Sequence, residues 1–176
     1  LPRDLILGNF KNYGAELKFL KNYSLGDKRS TFLIGSKYFK SNNTAVQGPG
    51  SAFADADFEL YTSTYSDYAN QSDFNFPNRN LSLFSENIIY FSDKLSIVPG
   101  VRFEHIKTVS EGVYNQLVFD NAGNAIANNE LEDNRSIERN FVLAGFGMSW
   151  KKSKSLEWTA NLSQNYRSVT FSDIRV

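Results

Sequence analysis

Three arginines, Arg102, Arg139 and Arg167, fall on the polar side of segments whose residues alternate between apolar and polar. A guanidinium presents a planar fork of donors that matches a carboxylate, so three of them on one face suit an anionic, carboxylate-bearing ligand. The same arginines have a plainer use, pairing with carboxylates on their own face such as Glu104 and Glu157. Other candidates for chemistry fall away. The single histidine, His105, has the opposite, apolar parity, where an imidazole has no nucleophile to activate. Gly145-Phe146-Gly147 lacks the Lys-Ser/Thr of a phosphate loop, and its glycines suit open space or strand curvature. With no Cys, a thiolate metal site and a disulfide scaffold are both excluded. No catalytic residue, metal site or cofactor is expected.

The elements that carry these residues alternate with period two, the signature of half-buried strands. In the last segment Leu156, Trp158, Ala160, Leu162 and Tyr166 share one side, and Glu157, Thr159, Asn161, Ser163 and Arg167 the other. The segment before it sets Val142, Ala144, Phe146, Met148 and Trp150 against Gly145, Gly147 and Ser149. Similar alternation predicts hairpins over about 14–40, 80–106 and 141–168, six strands in all. Phe84, Ile88 and Tyr90 are the exceptions, apolar residues on the polar parity of the third segment. The composition agrees, with 15 Phe and 9 Tyr but only 4 Pro, because aromatic side chains suit a pleated surface.

The connections differ by length. Turns within each hairpin take a few residues, whereas the links between hairpins, about 41–78 and 107–136, are long and polar and hold more than half of the acidic residues. Long links are uncommon in compact soluble domains. Short turns at one end and long loops at the other are the plan of a transmembrane β-barrel, with the long loops external. Strands of about 9 to 11 residues are the length that crosses a bilayer on a tilt. Trp150 and Trp158 flank the turn Lys151-Lys152-Ser153-Lys154-Ser155 on the apolar parity, where an interfacial aromatic girdle would sit. The expected fold is all-β: antiparallel up-and-down strands forming part of a transmembrane barrel. The smallest such barrels have about 8 strands, so six imply a piece of a larger one. The formal net charge of zero offers nothing to nucleic acid.

Two stretches carry a family resemblance. One is Phe84-Ser85-Glu86-Asn87-Ile88 followed by Ser92-Asp93-Lys94-Leu95-Ser96-Ile97-Val98-Pro99-Gly100-Val101-Arg102-Phe103-Glu104. The other is Gln164-Asn165-Tyr166-Arg167-Ser168-Val169-Thr170-Phe171-Ser172-Asp173-Ile174, with Gln47-Gly48-Pro49-Gly50 in addition. They resemble the TonB-dependent outer-membrane receptors, and the phrase ending Phe-Ser-Asp-Ile resembles the ferric-citrate-receptor branch of Bacteroidetes-like bacteria. The resemblance implies a 22-stranded barrel in the bacterial outer membrane, surrounded by lipid and lipopolysaccharide. It also implies a ferric chelate such as iron(III) dicitrate as substrate, and the TonB protein as energy source, acting through a plug domain encoded elsewhere. Two other plans compete: a soluble lipocalin-like barrel, which would turn its apolar face inward, and an outer-membrane adhesin or porin that works without TonB.

Overall fold

The computed structural model describes residues 1–54 and 57–166. They form one six-stranded antiparallel sheet in which each strand pairs with the next in sequence: β1 Asp4–Leu25, β2 Lys28–Pro49, β3 Ser72–Tyr90, β4 Leu95–Phe119, β5 Ala125–Lys151 and β6 Glu157–Ser163. This is the expected up-and-down order. Arg167 and the Phe-Ser-Asp-Ile phrase lie outside the described residues.

The strands run farther than the alternation predicts. β1 and β2 have 22 residues each, β4 has 25 and β5 has 27, about twice what a tilted bilayer crossing requires. The link expected over about 41–78 shrinks to 50–71, and the one expected over about 107–136 shrinks to 120–124. The reason is that strand structure depends on pairing, while alternation depends on having one dry face. Beyond the apolar zone β4 and β5 continue to pair from Lys107↔Glu138 out to Leu117↔Asn128. There β5 is exposed along most of its length, and β4 buries small polar residues such as Thr108 and Ser110, so neither strand alternates apolar with polar and the sequence loses its strand signature.

Register gathers the apolar parity onto one face. Row by row across β1 to β5 it reads Leu17, Ser36, Leu83, Phe103, Val142, then Phe19, Ile34, Ser85, Val101, Ala144. Leu17, Phe19, Ile34, Leu83, Val101, Val142 and Leu162 are all exposed, Leu17 at 73% and Leu162 at 77%. Among the described residues the buried large apolar side chains are Phe74 and Phe76, on the other face and stacked at 5.9 Å. Phe74 lies against Gly112 of β4 so closely that a Cβ there would run into its ring and into the backbone of Asp73.

The opposite face is cupped and polar. Glu16, Lys18, Leu33, Phe84, Glu86, Gly100, Arg102, Leu143, Gly145 and Ser163, drawn from all six strands, line a single depression of about 610 Å3. One depression can span six strands only if the sheet curves toward that face. Curvature also explains why small polar side chains are buried there, Ser82 at 1% exposure and Glu104 at 5%.

Candidate functional site on the cupped face

Arg102 and Arg139 occupy the cupped face, as their parity predicts, but they do not meet. Arg102 pairs with Leu143 across the β4–β5 ladder, and Arg139 pairs with Ile106. Four residues along a strand and one strand across separate their backbones by roughly 14 Å. Each guanidinium has a different partner.

Arg102 is tied down. Its Nε donates to Glu104, its terminal nitrogen donates to Ser82 Oγ at 3.1 Å, and Ser82 Oγ donates to the other Glu104 oxygen at 2.8 Å. The ladder makes this triangle, because Ser82 pairs directly with Glu104 and Phe84 with Arg102. The guanidinium also stands 5.9 Å from the Phe84 ring, which explains one apolar exception of β3. Phe84 covers Gly35 of β2, where any side chain would collide with its ring. Glu104 neutralises Arg102, the plainer of the two uses foreseen for it.

Arg139 has no carboxylate partner among the described residues. It donates to the Tyr166 hydroxyl and lies 5.9 Å over that ring, while Tyr166 packs on Phe141 at 4.2 Å. Tyr166 therefore sits on the cupped side, not on the apolar parity that simple counting from Leu162 assigns to it. β6 ends at Ser163, and Gln164 uses its side chain as well as its backbone to bond Ala144, so the alternation stops there. Glu157, the second carboxylate expected near these arginines, bonds Ser149 instead.

The depression between these groups has mixed charge. Glu16 and Lys18 pair at 3.2 Å, Glu86 adds a carboxylate, and Gly100 and Gly145 leave its floor bare. On the exposed face Trp150 and Trp158 are direct cross-strand partners, 45% and 58% exposed, next to the 152–156 turn. His105 is on this face too, its Nδ1 2.7 Å from Asn140 Oδ1. It approaches no hydroxyl nucleophile within hydrogen-bond distance among the described residues.

At the far end the 50–71 link folds back on the strands. Arg3 donates to the carbonyls of Phe53 and Ala54 at 2.6 and 3.1 Å, and Asn128 of β5 donates to the Ser66 carbonyl at 3.1 Å. Tyr61 donates to Asp57 at 3.0 Å, and that bond to an anion holds the phenol above its usual range. These hydrogen bonds tie the described part of the link to the strands, and sequence reasoning marked it only as loop.

A sheet with an apolar convex face, a polar concave face and an aromatic pair beside its short turns defines a barrel-wall protein of the membrane type. The family model described as TonB dependent receptor-like, beta-barrel matches residues 3–176, and the chain belongs to that family. Members of the family are bacterial outer-membrane transporters. No curated protein matches the chain.

Proposed function

We propose that this chain is the barrel segment of an outer-membrane receptor that imports a ferric chelate, iron(III) dicitrate in the first instance, with energy from TonB through a plug domain. The observation that carries the reading is the division of the sheet into an exposed apolar face and a cupped polar one. A soluble ligand-binding cup would reverse the two. In this reading the apolar face meets outer-membrane lipid, Trp150 and Trp158 mark the interface beside the short turns, and lipopolysaccharide surrounds the opposite end.

The substrate rests on the resemblance of the Phe171-Ser172-Asp173-Ile174 phrase and on Arg139, a guanidinium on the cupped face that among the described residues bonds a phenol and no carboxylate. Arg139 and Arg167 are the proposed contacts to citrate carboxylates, and Arg102 joins them only when the ligand displaces Glu104. Acidic outer segments repel an approaching anion, so recognition depends on these hydrogen bonds more than on long-range attraction. The test is a titration of the full receptor in detergent with ferric citrate, followed by tryptophan fluorescence. Iron-free citrate and an unrelated ferric siderophore serve as controls. Saturable quenching by ferric citrate alone supports the assignment. Absence of a response removes this substrate and leaves the transporter class in place.

A further inference from the structure

Beyond the apolar rows the sheet is fastened unevenly. The β2–β3 ladder is unbroken from Thr31↔Ile88 to Gln47↔Ser72, and the β4–β5 ladder from Leu95↔Trp150 to Val118↔Ala127. Between β3 and β4 the pairing stops at Asn78↔Thr108 and resumes at Asn75↔Glu111, so Phe76, Pro77, Val109 and Ser110 are left out of it. Pro77 has no N–H to give. Four pairs follow, ending at Ser72↔Tyr114, and the Asn115 N–H donates to the Gln71 carbonyl at 2.8 Å. On its other side β5 pairs with β6 no farther out than Gly145 among the described residues. The outer β4–β5 ribbon, residues 109–137, is therefore joined sideways to the wall along one short seam.

Buried polar atoms without partners gather at the same place. Ser110 is 0% exposed and its Oγ has no hydrogen-bond partner among the described residues. The Oδ1 atoms of Asn75 and of Asn43, which is opposite Phe76, share that condition. Such atoms disfavour the closed seam, because water serves them once it opens. A depression of about 220 Å3 lies beside Pro77, Asn78 and Val109. Just below it Lys40, Arg79 and Lys107 stand opposite one another on β2, β3 and β4, and like charges weaken a ladder. The ladder also skips Asn87 and Ile88 near Pro99, but no unpartnered side-chain polar atom is buried there among the described residues.

We infer that the outer β4–β5 ribbon is a flap of the barrel wall, which parts from β3 along 72–75 and swings as a unit about the Pro77 row. The Phe74 ring, set on bare Gly112, is its latch. The moving part is paired strand, not a connecting loop. Arg139 stands two residues below the ribbon on β5, so the flap alters the wall above that guanidinium. Arg102, Glu104 and Ser82 lie within the unbroken part of the ladder and keep their triangle. The inference rests on the apolar rows lying in lipid, but not on the identity of the transported chelate.

The experiment is hydrogen exchange resolved to single residues on the full receptor in lipid nanodiscs. Amides that face across the seam in 72–75 and 111–114 are expected to exchange about tenfold faster or more than those across 78–82 and 104–108. Amides between β4 and β5 within the ribbon stay protected, because the flap moves whole. Ser110→Ala removes a hydroxyl that gains only on opening, so it slows seam exchange about tenfold. Gly112→Ala drives a methyl into the Phe74 ring and the Asp73 carbonyl, and speeds it. A receptor with Asn75→Cys and Glu111→Cys, register partners on β3 and β4, loses seam exchange when oxidised and recovers it when reduced. Equal exchange above and below the break, or a Ser110→Ala receptor that exchanges as fast as wild type, overturns the inference. Either result leaves the ferric citrate titration untouched, and silence in that titration leaves the flap in place.

Discussion

Glu104 and Arg102, two residues apart on β4, are joined on the cupped face, and Ser82 of β3 bonds both of them. Glu104 is 5% exposed and Ser82 1%, whereas the Arg102 side chain keeps 42% of its surface in solvent. The carboxylate is thus the buried member and depends on its partners more than the arginine does.

Removing that carboxylate leaves a half-exposed guanidinium, which water can serve, and a buried Ser82 hydroxyl without its acceptor. Glu104→Ala is expected to destabilise the barrel by roughly 1–3 kcal/mol, below the cost of breaking a fully buried pair. Ser82→Ala is expected to cost about 1 kcal/mol. Urea unfolding of the full receptor in detergent, followed by the loss of heat-modifiable gel mobility, measures both.

The two faces predict opposite responses to charge. Leu83→Arg, on the apolar row with Phe103, is expected to cost roughly 2–4 kcal/mol if that row lies near the bilayer centre. Leu33→Arg, on the cupped face among Glu16 and Glu86, is expected to cost much less. Equal costs in a lipid-based unfolding assay contradict the assignment of faces.

Trp150 and Trp158, paired across β5 and β6, are expected at headgroup depth. Lipids brominated close to the headgroup should quench tryptophan emission more than lipids brominated near the chain ends. The reverse order would place the pair in the hydrocarbon interior and remove the girdle.

Among the described residues Arg139 donates to the Tyr166 hydroxyl and pairs with no carboxylate, so its charge is open to a carboxylate ligand. Arg139→Gln is expected to weaken ferric citrate binding about tenfold, the scale of one charge-assisted hydrogen bond. Tyr166→Phe keeps the ring and loses the hydroxyl, so a smaller loss is expected. Titration calorimetry of both variants separates these outcomes from a change in barrel stability.

The 120–124 turn should depend on acid. Asp120 accepts from the Asn124 side chain at 3.0 Å and from the backbone N–H groups of Asn124 and Ala122 at 2.8 and 2.9 Å. These bonds, Asn124's first, hold its carboxyl below the usual aspartate range. A depressed pKa stabilises the folded turn wherever the unfolded chain is also ionised. That contribution is complete above the ordinary aspartate pKa and disappears as the pH falls through the lower folded value. Amide exchange at Ala122 and Asn124 is therefore expected to stay constant through neutral pH, relative to an unstructured reference. It should accelerate on that scale only in strong acid, and Asp120→Ala should abolish the protection at every pH.

How much was legible from sequence follows from what is local. Alternation is a property of each strand's own pleat, so Leu83, Phe103, Val142 and Trp158 declared their common face from spacing alone, as did Arg102 and Arg139 theirs. The six strands, their order and the short turns followed in the same way, because consecutive antiparallel strands joined by tight turns have one simple arrangement. Strand ends were hidden where no apolar face is needed, as along 125–138, which is mostly exposed, and along 107–119, where the buried residues are polar ones such as Thr108 and Ser110.

Partnership was decided by the tertiary structure. Ser82 is close to Glu104, and Lys40 to Arg79 and Lys107, only because the ladders set one register among several that the pattern permits. A two-residue slip in any ladder keeps every side chain on its face yet exchanges all of its neighbours. Parity therefore told which surface each charged residue occupies. Pairing between distant strands decided which charge is neutralised, which is left to bind, and where three of the same sign stand together.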